Sequence, residues 1–286
     1  MKRHWIKLIG KMIWLYLTES KTDMLVNKSY NGISDGYDKV WTNHMRDKSV
    51  EMIEKLDIKK DTKILDLNCG TCFVNSKLYN KSKSKVIGVD QSEGMLKIAK
   101  KNYGKNCDFV KSDVIKFLKT QPKDSYDIIT CAWGLGYTKP YKLIKESNRI
   151  LKKGGKLAII DNTLFTIKEA IWSSILSIAE KPGSLEHMFN VNFLPFLKSL
   201  EIRMKIAGFL IEDSWKGSKT YYVKNGKEAV EKLVSTGAFA GLEFCYSEND
   251  QDELQKIFIR SIENKYKTNK GIPITHRYIA AIGTKK

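Results

Sequence analysis

A chain of 286 residues with 42% hydrophobic content can bury one large core with an appended subdomain, so nothing in its length calls for several domains. Its formal net charge of +18 would ordinarily point to a polyanion. The lysines are spread along the whole chain, arginine is scarce and no dense basic block occurs, so a nucleic-acid partner is set aside and a weakly acid-seeking surface is left. The cysteines, Cys69, Cys72, Cys107, Cys131 and Cys245, are odd in number, unevenly spaced and without a secretory leader, which argues for a reducing, cytoplasmic setting.

Residues 1–17 predict an amphipathic helix. Trp5, Leu8, Ile9, Met12, Ile13 and Tyr16 share one face, while Arg3, Lys7, Gly10 and Lys11 gather on the other. Lys7 and Lys11 interrupt it too often for a transmembrane span or a signal segment. A basic helix with tryptophans and leucines suits peripheral contact with a membrane headgroup layer; it suits equally a lid over a ligand site. Residues 18–36, broken by Gly32 and Gly36, read as a loop or short helices. Tyr37-Asp38 and Trp41 then lead into a helix over about residues 40–56, in which His44 is a candidate polar group and the aromatics are candidate anchors.

Ile64, Leu65 and Leu67 form a short apolar run that stops at small and polar residues, after which Phe73, Val74 and Leu78 resume at helical spacing. A buried strand turning into a helix reads this way. The turn between Asp66 and Phe73 lies where an open α/β sheet places ligands, and Gly70 can let backbone approach one closely. Cys69 and Cys72 form a C-x-x-C within that turn; with no second pair and no histidine cluster beside them, they predict neither a metal nor a redox site. A second strand ends at Asp90, ~20 residues beyond the glycine, where a carboxylate can accept from both hydroxyls of a ribose. A third ends at Asp113-Val114, where the acid can also cap the helix over residues 115–118. The fourth, from Tyr126 to Trp133, runs into the turn-rich Gly134-Leu-Gly-Tyr137 loop. A helix over residues 141–151 is expected to stop at Lys152-Lys-Gly-Gly155, and a fifth strand over 156–160 leads to Asp161.

The turn Asp66-Leu-Asn-Cys-Gly-Thr-Cys72, the Asp90-Gln-Ser-Glu-Gly-Met95 segment, Ser112-Asp-Val114 and Arg149-Ile-Leu-Lys-Lys-Gly-Gly155 together resemble, in order and over residues 37–161, the motifs of class I S-adenosylmethionine-dependent methyltransferases. The resemblance is to the small-molecule type, similar to the ubiquinone/menaquinone and biotin-pathway group. It implies an α/β fold with a Rossmann-like seven-stranded, mostly parallel sheet whose last strand is antiparallel. It also implies S-adenosyl-L-methionine as cofactor, held by Tyr37, Asp66, Asn68, Gly70, Thr71, Asp90, Gln91, Met95, Asp113, Val114 and Ala132. In that assignment Asp90 takes the ribose, Met95 lies against the adenine, Asp113 accepts from its amino group and the Val114 N–H meets a ring nitrogen. Two of the family's three glycines are replaced. Asn68 tolerates left-handed backbone, but the Cβ of Cys72 is expected where the methionine part of the cofactor approaches. Trp41, Trp133, Tyr137 and His187 are the implied substrate contacts. The Asn/Asp-Pro-Pro-Tyr/Phe motif of many nucleobase methyltransferases is missing, which counts against nucleic-acid methylation.

Beyond Asn162, a helix over 167–178 stops at Pro182-Gly183, and a second run carries Phe189, Phe193, Phe196, Leu197, Leu200 and Met204 with Pro195 as a kink in its middle. These apolar residues suit a cover over a greasy or aromatic acceptor, and core packing explains them equally. Glu186 and His187 are the polar groups there. A sixth strand with a turn at Lys216-Gly217, a helical insertion around residues 227–262 and a last strand over 274–282 complete the chain. The expected division is an N-terminal extension or lid (1–45), a cofactor core (46–163), a substrate cover (164–207) and the C-terminal part of the sheet (208–286). The reaction expected is in-line transfer of a sulfonium methyl to oxygen, carbon or nitrogen of a small, apolar, aromatic or lipid-like acceptor. No metal is needed, and His44, His187 and His276 are candidate bases. An RNA-modifying enzyme, a non-catalytic cofactor binder and an NAD-dependent oxidoreductase stay open as alternatives.

Overall fold

The computed structural model describes residues 3–18, 23–188 and 191–286; Met1, Lys2 and Phe189, which belong to segments discussed above, lie outside the described residues. In chain order the first half forms α1 (Trp5–Thr18), α2 (Asp23–Tyr37), a π-helical turn at Asp38–Thr42, α3 (Asn43–Glu54), β1 (Ile64–Leu67), α4 (Phe73–Ser82), β2 (Val86–Asp90), α5 (Glu93–Tyr103), β3 (Cys107–Lys111), α6 (Val114–Thr120) and β4 (Tyr126–Ala132). There follow a 3-10 turn at Leu135–Tyr137, α7 (Pro140–Ile150), β5 (Leu151–Asn162), α8 (Lys168–Glu180), α9 (Leu197–Ile206), β6 (Phe209–Val223), α10 (Gly226–Ser235), α11 (Gln251–Tyr266) and β7 (Ile272–Lys285).

The seven strands make one sheet in the order β3-β2-β1-β4-β5-β7-β6. Strands β1 to β5 pair in parallel, and β7 pairs antiparallel with β5, Asp161 facing Ile279 and Asn162 facing Tyr278. The order runs outward from β1 to β3 and then resumes on the other side with β4, which makes the carboxyl ends of β1 and β4 the switch point where such sheets bind ligands. Side chains alternate across the strands and so feed two cores. Leu65, Leu67, Ile129, Cys131, Leu157 and Ile159 meet the apolar faces of α6, α7 and α9 on one side. Ile64, Ile128, Ala158 and Ile160 meet α3 and α4 on the other. Both faces of the sheet are covered, as the near-continuous apolar strands require.

The chain forms two compact units. One comprises Ser34–Phe165, Val191–Gly217 and Arg277–Lys286; the other comprises Met1–Ile33, Thr166–Asn190 and Ser218–His276. In the latter, Ala170, Ala229, Leu233, Phe258 and Ile262 from α8, α10 and α11 form a core with Val223, Ile272 and Ile274. Leu8 and Leu15 of α1 join Ile178, Ala179, Leu185 and Cys245 in a second cluster of that unit. These cuts differ from consecutive segments bounded at 45, 163 and 207. A helix joins whichever core receives its apolar face, and distance along the chain does not specify which.

Several boundaries also differ from the sequence expectation. Residues 23–37 form one helix that runs through Gly32 and Gly36, since a glycine weakens a helix by about 1 kcal/mol without forbidding it; residues 19–22 of the stretch read as a loop or short helices lie outside the described residues. Helix α7 ends at Ile150, before the lysines, and Lys152-Lys-Gly-Gly155 belongs to β5. Pro195 precedes α9 instead of kinking it, which spares the helix a lost hydrogen bond. Strand β6 passes unbroken through Lys216-Gly217, and β7 lies inside the sheet, between β5 and β6. No helix among the described residues is long and apolar enough to cross a membrane.

Candidate functional site

The turn after β1 repeats one backbone state at every second residue: φ is 54° at Asn68, 53° at Gly70 and 67° at Cys72. These are the positions at which the resemblance expects glycine, so the backbone path is kept where the side chains are not. Asparagine enters this region readily; cysteine does so at a cost of about 1–2 kcal/mol. A Cβ added to Gly70 would meet nothing within 4 Å. Gly70 therefore faces open space beyond the strand ends. Asn68 turns to the neighbouring strand, its Nδ2 donating to the Gly134 carbonyl at 2.8 Å. The Asn68 side chain lies so close there that a Cβ on Gly134 would come within 2.4 Å of it. Cys72 is fully buried, packed with Cys69, Leu96 and Ala99 beneath the turn. Its thiol thus faces α5, contrary to the expectation that it crowds the ligand side, because the left-handed residue at the start of α4 turns its Cβ into the core.

Asp90 closes the floor of this space. Its carboxylate accepts from the Gly70 N–H and from the Ser92 N–H, both at 2.8 Å. Burial pushes its pKa up, against the pull of those backbone donors. Two oxygens offer about four lone-pair sites, so capacity remains for a ligand hydroxyl. Next to it, Asp113 caps α6 by accepting from the Lys116 N–H at 2.7 Å and receives the Gln91 amide at 3.4 Å. Val114 sends its side chain into the core and presents an N–H of the first helical turn, where such groups lack intrahelical partners. Met95, also buried, is fixed on α5 by its N–H donating to the Ser92 hydroxyl.

Asp66 stands apart from this set. It is 1% exposed, lies opposite Thr130 in the β1–β4 register and accepts the Thr130 hydroxyl. Burial first, with Asp90 adding repulsion, pushes its carboxyl up to about 7. It ties β1 to β4 from inside the sheet. Asp161, at the end of β5, is an equally buried acid that the sequence reading passed over. It accepts from the Gly136 N–H at 2.6 Å and the Asn162 N–H at 2.8 Å, and burial pushes it up to about 7. An acid at a strand end was the signal available for it, the same one that singled out Asp90 and Asp113.

Tyr37, the last residue of α2, stands close to these strand-end acids. Burial raises its hydroxyl well above its ordinary pKa, and Tyr137, Asp90, Asp38 and Asp161 raise it further, so these five groups share one electrostatic neighbourhood. Asp38 ties this segment to the glycine turn by accepting the Thr71 hydroxyl at 2.5 Å. On the β4 side, Tyr137 meets Phe193 edge-on at 5.5 Å. The Phe193 ring covers Gly136 so closely that a Cβ there would lie 2.0 Å from it. Asn192, which no sequence signal marked, fixes this cover by donating its N–H to Gly136 and its amide to the Thr138 carbonyl.

The tryptophans are placed as packing groups. Trp133 meets Trp41 and Tyr278 edge-on at 5.7 and 5.9 Å and donates its indole N–H to Ser49 at 2.9 Å. Trp41 is 6% exposed. Trp41 belongs to the core on the α3 and α4 side, and Trp133 and Ala132 pack against it, partly buried. Among the three candidate histidines, His44 on α3 belongs to the same unit as the turn, whereas His187 and His276 belong to the other. His276 is buried there and stacks on Tyr221 at 5.9 Å, while the N–H groups of Glu186 and His187 both donate to the Cys245 carbonyl.

Residues 65–159 match the family model described as a methyltransferase domain. The chain is 34% identical over 236 residues to the demethylmenaquinone methyltransferase of Lactococcus lactis, an alignment covering 74% of this chain and 89% of that relative. It is 32% identical over 145 residues to the ubiquinone/menaquinone biosynthesis C-methyltransferase of Campylobacter jejuni, covering 48% of this chain. The chain spans 58–66% of the length of that relative and of a matching Listeria enzyme. In fold it is similar to geranyl diphosphate C-methyltransferase of Streptomyces coelicolor, crystallised with S-adenosyl-L-homocysteine, at a TM-score of 0.51, 13% identity and coverage of 84% of this chain and 79% of that one.

Proposed function

Because the chain belongs to the class I S-adenosylmethionine-dependent methyltransferases, we propose that it binds S-adenosylmethionine in the space beyond Gly70 and transfers a methyl group to a small, apolar, quinone-like acceptor. The observation that carries this is the Gly70 turn: a left-handed glycine with open space above it and its N–H fixed on the Asp90 carboxylate. A nucleoside fits such a cradle, with Asp90 accepting from ribose hydroxyls, Asp113 and the Val114 N–H reading the adenine edge, and Asn68, Thr71 and Gln91 holding the walls. The bound cofactor supplies a methyl already activated on a sulfonium sulfur. Asp38 and Asp90 lie together in this corner of a basic protein, an arrangement that suits a cationic ligand.

The rest of the rate enhancement falls to positioning. Tyr37 and Tyr137 bound the space where the acceptor meets the methyl, and Phe193, held over Gly136 by Asn192, excludes water from it. The names of the relatives favour a ring carbon of a lipid-like quinone precursor, and the apolar segment 191–196 suits such an acceptor. Where the acceptor must lose a proton, His44 is the one of the three candidate histidines that shares a unit with the Gly70 turn. The test is calorimetry with S-adenosylmethionine and with NAD, followed by methyl transfer to demethylated quinones. Micromolar binding of the former is expected. Asp90→Ala should weaken it by about 1.5–3 kcal/mol, the loss expected for charge-assisted hydrogen bonds. No binding at millimolar concentration rejects the reading, and unchanged affinity in Asp90→Ala rejects the ribose assignment. Tight, salt-steep RNA binding with methylation of RNA would instead place the acceptor among nucleic acids.

A further inference from the structure

We propose that α1 is a membrane-surface anchor whose outward face seats on anionic lipid. The helix has 14 residues, about 21 Å of length, short of the ~30 Å hydrocarbon core, so it would lie along a bilayer and not across it. At about 100° per residue, Leu8 and Leu15 point together into the cluster with Ile178 and Ala179 and are 3% and 4% exposed. From the flank of that stripe round to its far side, Tyr16, Ile9, Ile13, Ile6 and Leu17 are exposed by 74, 55, 55, 88 and 76%. The single apolar face expected from sequence is therefore split: Leu8 goes inward, and Ile9, Ile13 and Tyr16 go out. A helix that docks on a core by one stripe ordinarily turns polar residues to water. This one turns out branched aliphatics.

Charge decides what covers them. Lys7 and Lys11 lie together along one edge of the exposed arc, beyond Trp14 and away from Ile9 and Ile13, Arg3 precedes the helix, and no acid occurs between residues 3 and 18. The Lys11 ammonium lies 4.8 Å from the Trp14 ring. Within the same unit the surface continues onto α8, where Trp5 stacks on Trp172 at 6.3 Å and the Lys265 ammonium stands 5.1 Å from that ring. Aliphatic side chains bordered by indoles and ammonium groups match the layered chemistry of a headgroup region: acyl chain, glycerol level, phosphate. A second copy of this chain would bring the same lysines face to face, which disfavours self-association.

The test is sedimentation of the full chain with vesicles of phosphatidylcholine alone and with about one-third phosphatidylglycerol. Binding is expected to be stronger with the anionic lipid and to weaken with salt. Ile9→Glu combined with Ile13→Glu should lower partitioning at least about tenfold. Lys7→Glu combined with Lys11→Glu should lower it about fivefold or more per lysine and erase the preference for phosphatidylglycerol. Ile9 and Ile13 are exposed, so melting temperature and S-adenosylmethionine affinity of the Ile9/Ile13 variant should stay at wild-type values, separating this proposal from the enzymatic one. Wild-type protein that stays in the supernatant with both lipids overturns it. Equal sedimentation of the Ile9/Ile13 variant does so too, as does a dimer in lipid-free solution that this variant abolishes.

Discussion

At the turn after β1, Asn68, Gly70 and Cys72 follow one left-handed path with three different side chains, each for its own reason. Asn68 uses its amide to bind β4, Cys72 sends its thiol inward, and Gly70 keeps the ligand side bare. This predicts different costs for one methyl group. Gly70→Ala meets no atom in the free protein, so it should cost stability only the ~1–2 kcal/mol of a left-handed L-residue. The same methyl fills the cradle and should lower S-adenosylmethionine affinity at least about tenfold, a loss well above ~1.4 kcal/mol. Thermal melting and calorimetry on the one variant read the two effects separately, and an affinity within twofold of wild type would show that no ligand approaches here.

The segment between Val191 and α9 acts through one ring. Phe193 lies over Gly136 while Asn192 binds the Gly136 and Thr138 carbonyls beneath it, so the cover is fixed to the loop that follows β4. Phe193→Ala should raise the acceptor KM while leaving the S-adenosylmethionine Kd within about twofold, because the deleted ring borders Tyr137 and not the Gly70 turn. Steady-state kinetics with each substrate varied in turn would show this. A change confined to the cofactor would mean that the segment lies over the other half of the site. Helix α1 belongs to the same scale: its apolar residues were plain in the sequence, but which of them face water depended on where α8 lay.

For the whole molecule, the buried acids set a pH dependence. Burial holds Asp66 and Asp161 at about 7, against an ordinary 3.8. Between those values the unfolded chain has released protons that the native state keeps, so stability falls as pH rises from about 4 to about 7 and levels off above that. Asp66→Asn keeps an oxygen for the Thr130 hydroxyl and removes one titration. Its melting temperature should therefore depend less steeply on pH than that of the wild type, and an identical slope would show that Asp66 is ionised throughout the range. The sequence by itself determined the strand-turn-helix units, the acids at strand ends and the parallel core from β1 to β5, because these are local patterns of period two, period 3.6 and turn chemistry. Only the tertiary structure decided that Asp66 lies inside the sheet while Asp90 borders open space, that Trp41 and Trp133 pack on each other, and that α1 joins α8. Burial and facing depend on which distant segments arrive at a residue, and contacts across the sheet and between helices fix that where local spacing does not.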